Sequence, residues 1–188
     1  MSDIEEKTLT TSLRAHTHNN HEKLDKRIMN LGLFENKELY KKFVTIQYHI
    51  HHYVVPIYEN VELSKIIPDL GERNRFEKVE QDMQDLGIPL PKLSEPTSIK
   101  DISEAVGLLY VVEGSKLGAK FLLNLAKDMG LSESYGARHL GADKDGRGNS
   151  WRAFRDAIDA ANINIDLALQ SAAHGFDKVR SFVEKVAA

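Results

Sequence analysis

The chain has 188 residues, 41% of them apolar, with 25 Lys and Arg against 28 Asp and Glu for a net charge of −3. That length fits one domain, the apolar share supports a real core, and the near balance of charge excludes a general polyanion binder. Cysteine is absent while histidine occurs eight times, which excludes disulfides, iron–sulfur clusters, cysteine-based zinc sites and cysteine nucleophiles together.

The first dozen residues are acidic and polar with no apolar targeting run, and residues 1–6 are expected to be a flexible N-terminus. The longest apolar run, Val106 to Val112, is far below membrane-spanning length. A cytoplasmic protein without membrane or nucleic-acid partners is expected, its single domain spanning residues 1–188.

Helical periodicity recurs along the chain, and the five prolines, from Pro56 to Pro96, leave both arms free to be helical. The pattern predicts a first helix from Lys7 to Asn30, stopped near Gly32. A second runs from Lys37 to Val55 and ends before Pro56. A third covers Glu72 to Leu86 and ends at Gly87. After a rigid Pro89–Pro96 loop, Thr97 or Ser98 caps a long fourth helix, with Ser98 and Asp101 spaced as in a capping box. That helix reaches Met129 and stops at Gly130. The glycine-rich, charged stretch Gly136–Gly148 reads as a loop, solvated over Gly141–Gly146. Asn149 or Ser150 caps a helix from Trp151 to Ala161, and a last helix runs to Val186. The expected architecture is an all-α, single-domain bundle.

The first helix carries His16, His18 and His21. At about 100° per residue, Leu13, Thr17, Leu24, Ile28 and Leu31 fall within an arc of about 60°, the expected buried face. His21 lies about 50° from the centre of that arc and is expected to point inward, while His16 and His18, about 90° and 110° away, face solvent. Arg14 is two turns from His21 on the same side. These residues alone leave His21 as either a histidine at the core edge or a ligand to a metal or haem. Neither the three histidines here nor His49, His51 and His52 on the second helix share a face, so a three-histidine zinc site is not expected. No Glu is followed by His at +3, which excludes a di-iron carboxylate bundle. The Gly141–Gly146 segment has the wrong residues at the first and twelfth positions of a calcium loop.

The fourth helix contains Gly107, Gly114 and Gly118 within a strip of about 40°. Each costs roughly 1 kcal/mol against alanine in a helix interior, so a face bare of side chains needs a reason. Close packing of another helix is one; a flat ligand pressed to the backbone is the other. An inward histidine opposite that face suits a planar metal macrocycle.

Thr17-His-Asn-Asn-His21-Glu-Lys-Leu-Asp25 resembles the proximal-helix motif of the heme oxygenases. Leu109-Tyr-Val-Val-Glu-Gly-Ser-Lys-Leu-Gly-Ala119 resembles their distal-helix motif in its bacterial form. Gly136-Ala-Arg-His-Leu140, and Gly146-Arg-Gly with Trp151 after it, resemble the same bacterial branch. The resemblance implies haem b as substrate and cofactor, sandwiched between the first (proximal) and fourth (distal) helices. It implies His21 as axial iron ligand, Thr17 beside it, and Gly114, Ser115 and Gly118 on the distal side. O2 would be the co-substrate, an external ferredoxin- or flavin-reductase-type protein the electron donor, and biliverdin, CO and free iron the products, serving iron acquisition. Imidazole ligation pushes less electron density to iron than a thiolate does. With no acid–base side chain on the glycine stripe, protons would come through ordered water. The acidic residue that animal enzymes place after the first distal glycine is missing, and Ser115 stands there.

By the same resemblance Gln47, His51, Arg75, His139 and Trp151 would form a distal water network. Arg14 and Tyr110 match positions that engage the haem propionates, and their presence implies α-meso cleavage. Between Lys7 and Lys42 there are eight Lys/Arg and four Asp/Glu, a local excess of basic charge onto which an acidic donor could dock. Three rivals remain. A thiaminase-like enzyme of similar architecture needs a cysteine that is absent. A haem carrier or sensor would use the same ligand and glycines. A bundle without cofactor gives no reason for three aligned mid-helix glycines opposite an inward histidine.

Overall fold

Residues 8–188 are described by the computed structural model, and among them the chain forms seven α-helices and two 3-10 turns with no β-strand. The helices are α1 (Leu9–Asn30), α2 (Lys37–Tyr58), α3 (Val61–Ile66), α4 (Phe76–Asp85), α5 (Ile102–Asp128), α6 (Arg147–Ala160) and α7 (Ile165–Ala187). The 3-10 turns are Gly71–Arg73 and Arg138–Leu140. The helix start at Lys7 and the flexible N-terminus expected over residues 1–6 lie outside the described residues.

Local chemistry sets most boundaries. Thr8, Asn36, Asn60 and Asn164 each accept a hydrogen bond from a backbone N–H in the first turn of α1, α2, α3 and α7, as N-caps do. Gly32, Gly87 and Gly130 adopt positive φ just beyond α1, α4 and α5, the usual glycine exit from a helix.

Four boundaries differ from the sequence expectation. Pro56 lies inside the last turn of α2. There it forfeits a single helical bond, and the neighbouring Tyr53 carbonyl accepts an outside bond from Thr97 N at 2.8 Å. The predicted Glu72–Leu86 helix begins only at Phe76, because Glu72 belongs to a 3-10 turn and Asn74 caps the Phe76 N–H. The short α3 ahead of it was not anticipated. Asp101, not Thr97 or Ser98, caps α5, its carboxylate accepting from Ser103 N at 2.7 Å. Helix α6 starts at Arg147, ahead of Asn149, Ser150 and Trp151. Gly146, at φ +82°, turns the chain directly into it. The Ser150 hydroxyl is freed to bind Asp143 instead.

Helix α5 is the centre of the bundle. It packs chiefly on α7, and also on α6 and α2, whereas α1 packs on α7 and α6. At the N-terminal end of α5 the backbones nearly touch: a Cβ on Gly107 would overlap the Ala168 carbonyl of α7. One Cβ on Gly175 would sit 2.8 Å from Leu108 Cδ1. Toward its C-terminal half α5 parts from its neighbours, and a cavity opens between it and α1.

Candidate functional site

The cavity measures about 840 Å³, within the range of small-molecule and cofactor sites. All twelve residues singled out in the sequence line it: Arg14, Thr17, His21, Gln47, His51, Arg75, Tyr110, Gly114, Ser115, Gly118, His139 and Trp151. Chain segments up to 165 positions apart converge there, from Arg14 to Val179.

Helix α1 forms one wall. His21 faces the cavity with its side chain 58% exposed, so it borders open space and not a packed core. Its Nδ1 lies 3.3 Å from Asp25 Oδ2, one turn on. That contact turns Nε2 away from Asp25 and leaves it free. The ring stands edge-on to Phe176 of α7 at 6.1 Å. Thr17 is buried and its hydroxyl donates to Leu13 O at 2.8 Å. Leu24 and Ile28 are half-buried and give the wall an apolar surface. His18, expected to face solvent, also lines the cavity, paired with Glu22 at 3.5 Å. Its flank position on the helix borders the open mouth.

Helix α5 forms the other wall. A Cβ on Gly118 would meet nothing within 4 Å, and one on Gly114 would meet only the Trp151 ring at 3.8 Å. Gly107, on the same strip, is packed against α7. The two readings of the glycine stripe therefore both apply, at different positions: helix packing at Gly107, and open space above the backbone at Gly114 and Gly118. Ser115 turns its hydroxyl back onto Val112 O at 2.6 Å. Tyr110 stands 5.6 Å from Trp151, centroid to centroid. Burial raises the Tyr110 pKa, and the positive charge of Arg14, which lines the same cavity, opposes that shift.

The inner end is polar and shielded. His51, Arg75 and His139 are all buried there. Burial holds the His51 imidazole well below its ordinary pKa, and His139, Lys116 and Arg75 push the same way. Arg75 donates to the carbonyls of His139 and Gly141 and pairs with Asp143 at 2.7 Å. His139 Nδ1 lies 2.7 Å from Asp82 Oδ2. Three polar atoms here have no protein partner: His51 Nδ1, Arg75 Nε and His139 Nε2. Buried polar groups are normally paired, so these are groups poised for a ligand or bridging water.

Behind α5 lies a second charged cluster. Glu113 accepts from Tyr58 Oη at 2.8 Å, from Arg73 Nη1 at 3.0 Å, and pairs with Lys116 Nζ at 2.7 Å. Arg73 also reaches Asp69 and Ser150. Burial lifts the Tyr58 hydroxyl well above its usual pKa, with Glu113 adding to the effect. Burial lowers the Lys116 ammonium despite the pull of Glu113. Burial alone would raise Asp143, yet Lys116 and Arg75 outweigh it and hold that carboxyl low. Sequence reading missed Asp82, Glu113, Arg73 and Asp143. For Asp82 a signal existed: it shares the apolar face of α4 with Val79 and Met83, where a carboxylate is out of place.

A flat macrocycle carrying a metal fits these walls. An imidazole with a free Nε2 faces backbone bare of side chains, apolar residues flank the gap, and an arginine and a tyrosine sit at one edge. The unpartnered inner atoms suit a polar small ligand on the α5 side.

A protein-family model described as Heme oxygenase matches residues 7–185. The heme oxygenase PigA of Pseudomonas aeruginosa is 33% identical over 174 residues, covering 90% of this chain and 88% of that protein. The crystal structure of the NO- and CO-bound heme oxygenase from Neisseria meningitidis superposes with a TM-score of 0.90 at 35% identity, over 96% of this chain and 92% of the other. Among the described residues no helix is long and apolar enough to cross a membrane.

Proposed function

The chain belongs to the heme oxygenase family, and from that premise we propose that its α1–α5 cavity is the haem site, with His21 as the axial iron ligand. The protein is a haem-degrading oxygenase: with O2 and external reductant it cleaves haem, its substrate and cofactor, to biliverdin, CO and iron. His21 faces the stretch of α5 that Gly114 and Gly118 leave bare, and that pairing carries the reading.

Bound haem supplies the iron at which O2 reacts and the porphyrin ring that is opened. The chain's own residues do the rest. Asp25 engages His21 Nδ1, which leaves Nε2 as the atom that would hold the iron and would raise its basicity. Gly114 and Gly118 leave the α5 backbone bare opposite His21, so that strip would let the ring lie close without a side chain in the way. Gln47, His51, Arg75, His139 and Trp151 line the cavity on that side, and we assign them to holding the water that relays protons. The relative from Neisseria meningitidis binds NO and CO, which supports room for a diatomic ligand there. Ser115 lines the same cavity, its hydroxyl donating to Val112 O and keeping oxygen lone pairs that can accept from the relay water.

Arg14 and Tyr110 share the cavity edge, and in this reading they anchor the haem propionates and seat the ring for α-meso cleavage. Mainly β or δ biliverdin would overturn that seating. An external ferredoxin- or flavin-reductase-type protein supplies the electrons, docking on the basic side of α1. The whole chain acts as one domain in the cytoplasm, and likeness to the bacterial motif supports a role in iron acquisition.

The test is direct. Haemin is added, the Soret band is followed, and ascorbate or a reductase is supplied under air with catalase present to remove free peroxide. A Soret band that decays into a bilin is the expected result. A band that persists would mean a haem carrier, and no band would reject the cavity as a haem site.

A further inference from the structure

Asp82 is fully buried on α4, and its polar partners lie on one short turn. Its Oδ1 accepts from Arg138 N at 2.9 Å and lies 3.4 Å from Arg138 Nη1. Its Oδ2 accepts from His139 N at 3.0 Å and lies 2.7 Å from His139 Nδ1. Both oxygens already accept from backbone N–H groups, and a carboxylate only accepts. The hydrogen between Oδ2 and Nδ1 therefore belongs to the imidazole. In the neutral ring this leaves Nε2 as the acceptor. That atom has no protein partner, and His139 faces the cavity beside Arg75, whose Nε–H is likewise unpartnered.

We infer that Asp82 is a positioning residue for haem cleavage: it holds His139 in the Nδ1–H tautomer, so the inner end of the cavity presents a fixed lone pair at Nε2 next to the donor Arg75 Nε. The inference rests on the proposed use of this cavity for haem. A water bound to Nε2 must donate to it, and this fixes which way that water's own lone pairs point. A ring free to exchange tautomers would scramble that direction. Asp82 also has a structural share, the two backbone N–H bonds of the Arg138–Leu140 turn. Asparagine keeps an oxygen for one of them but loses the charge that sets the tautomer.

The experiment reads the tautomer and the turnover separately. Nitrogen-15 histidine spectra of the haem-free enzyme at neutral pH are expected to show His139 protonated at Nδ1. In Asp82→Asn they are expected to show protonation moved to Nε2, in full or in part. With haemin and reductant, kcat of that variant falls on the order of ten-fold while KM for haem stays within about two-fold, as for outer partners that orient a working histidine. His139→Asn shows a similar loss, and the double variant loses little more than either single one, because the two residues act as a unit. An Nε2–H tautomer in the active wild type, an unchanged kcat in Asp82→Asn, or losses that multiply in the double variant would each overturn the role of Asp82. If Asp82→Asn fails to fold, the wild-type spectrum decides alone. A wild type that binds haemin without opening it overturns the functional reading, and the inference with it.

Discussion

The two walls of the cavity are built on opposite physical terms. The α1 wall is a helix in contact with water: His21 and Asp25 are both more than half exposed, and Arg27 reaches across to Glu184 of α7 at the surface. Behind the α5 wall, Glu113, Arg73 and Lys116 are almost wholly buried and bonded to one another. Exposed ion pairs contribute little to stability, whereas breaking a buried one leaves an uncompensated charge. The difference follows from what each wall presents. The α1 wall offers side chains, His21 among them, which rotamers and Asp25 can adjust. The α5 wall offers backbone, and backbone has no rotamers; Gly114 is held in place by its neighbour Glu113, locked to α2 through Tyr58 and to the Gly71–Arg73 turn.

The largest test of this contrast is Glu113→Gln. It leaves the buried Lys116 without its carboxylate and Arg73 with Asp69 alone, and is expected to cost about 3–5 kcal/mol in chemical denaturation, whereas Arg27→Gln leaves the unfolding midpoint nearly unmoved. Equal losses would break the contrast. Next in size, Gly107→Ala forces a methyl onto the Ala168 carbonyl and is expected to cost about 1–3 kcal/mol. Gly118→Ala meets open space, and helix preference makes it up to about 1 kcal/mol more stable. Its effect should appear instead in haem affinity.

A pH series sharpens the same point. Burial depresses the His51 pKa, so below the ordinary histidine value of about 6.5 the unfolded chain binds a proton that the native state refuses. Stability should therefore fall as pH drops below about 6.5, with a slope from this group of up to about 1.4 kcal/mol per pH unit, and be unaffected by it above. His51→Gln should remove that share of the slope; an unchanged slope would place His51 in contact with water. The smallest effect is expected at Lys23 and Lys26, both exposed on α1. Reversing their charge should slow reduction by a protein donor and flatten its salt dependence, with ascorbate-driven turnover unchanged.

The all-α class was legible in the sequence, and the twelve residues singled out there from helix periodicity and family resemblance come together on one cavity. Less was legible about what holds them. Asp82 and His139 are 57 positions apart, and nothing in local pattern pairs them. The angular count placed His21 toward the apolar side of α1, yet it could not tell a packed core from an open cavity. Gly107, Gly114 and Gly118 look equivalent on a helical wheel; only the approach of α7 at one end separates packing from open space. Pro56, Asp101 and Gly146 shifted helix ends for local reasons that several neighbouring residues could have supplied equally well.

The central claim is that His21 binds iron opposite the bare stretch of α5. It is tested most directly by the iron–histidine stretching band of the ferrous haem complex, compared between wild type and His21→Ala. The band is expected in the wild type, absent in the variant together with bilin formation, and partly restored by added imidazole. A variant that keeps the band and opens haem at the normal rate would contradict the account.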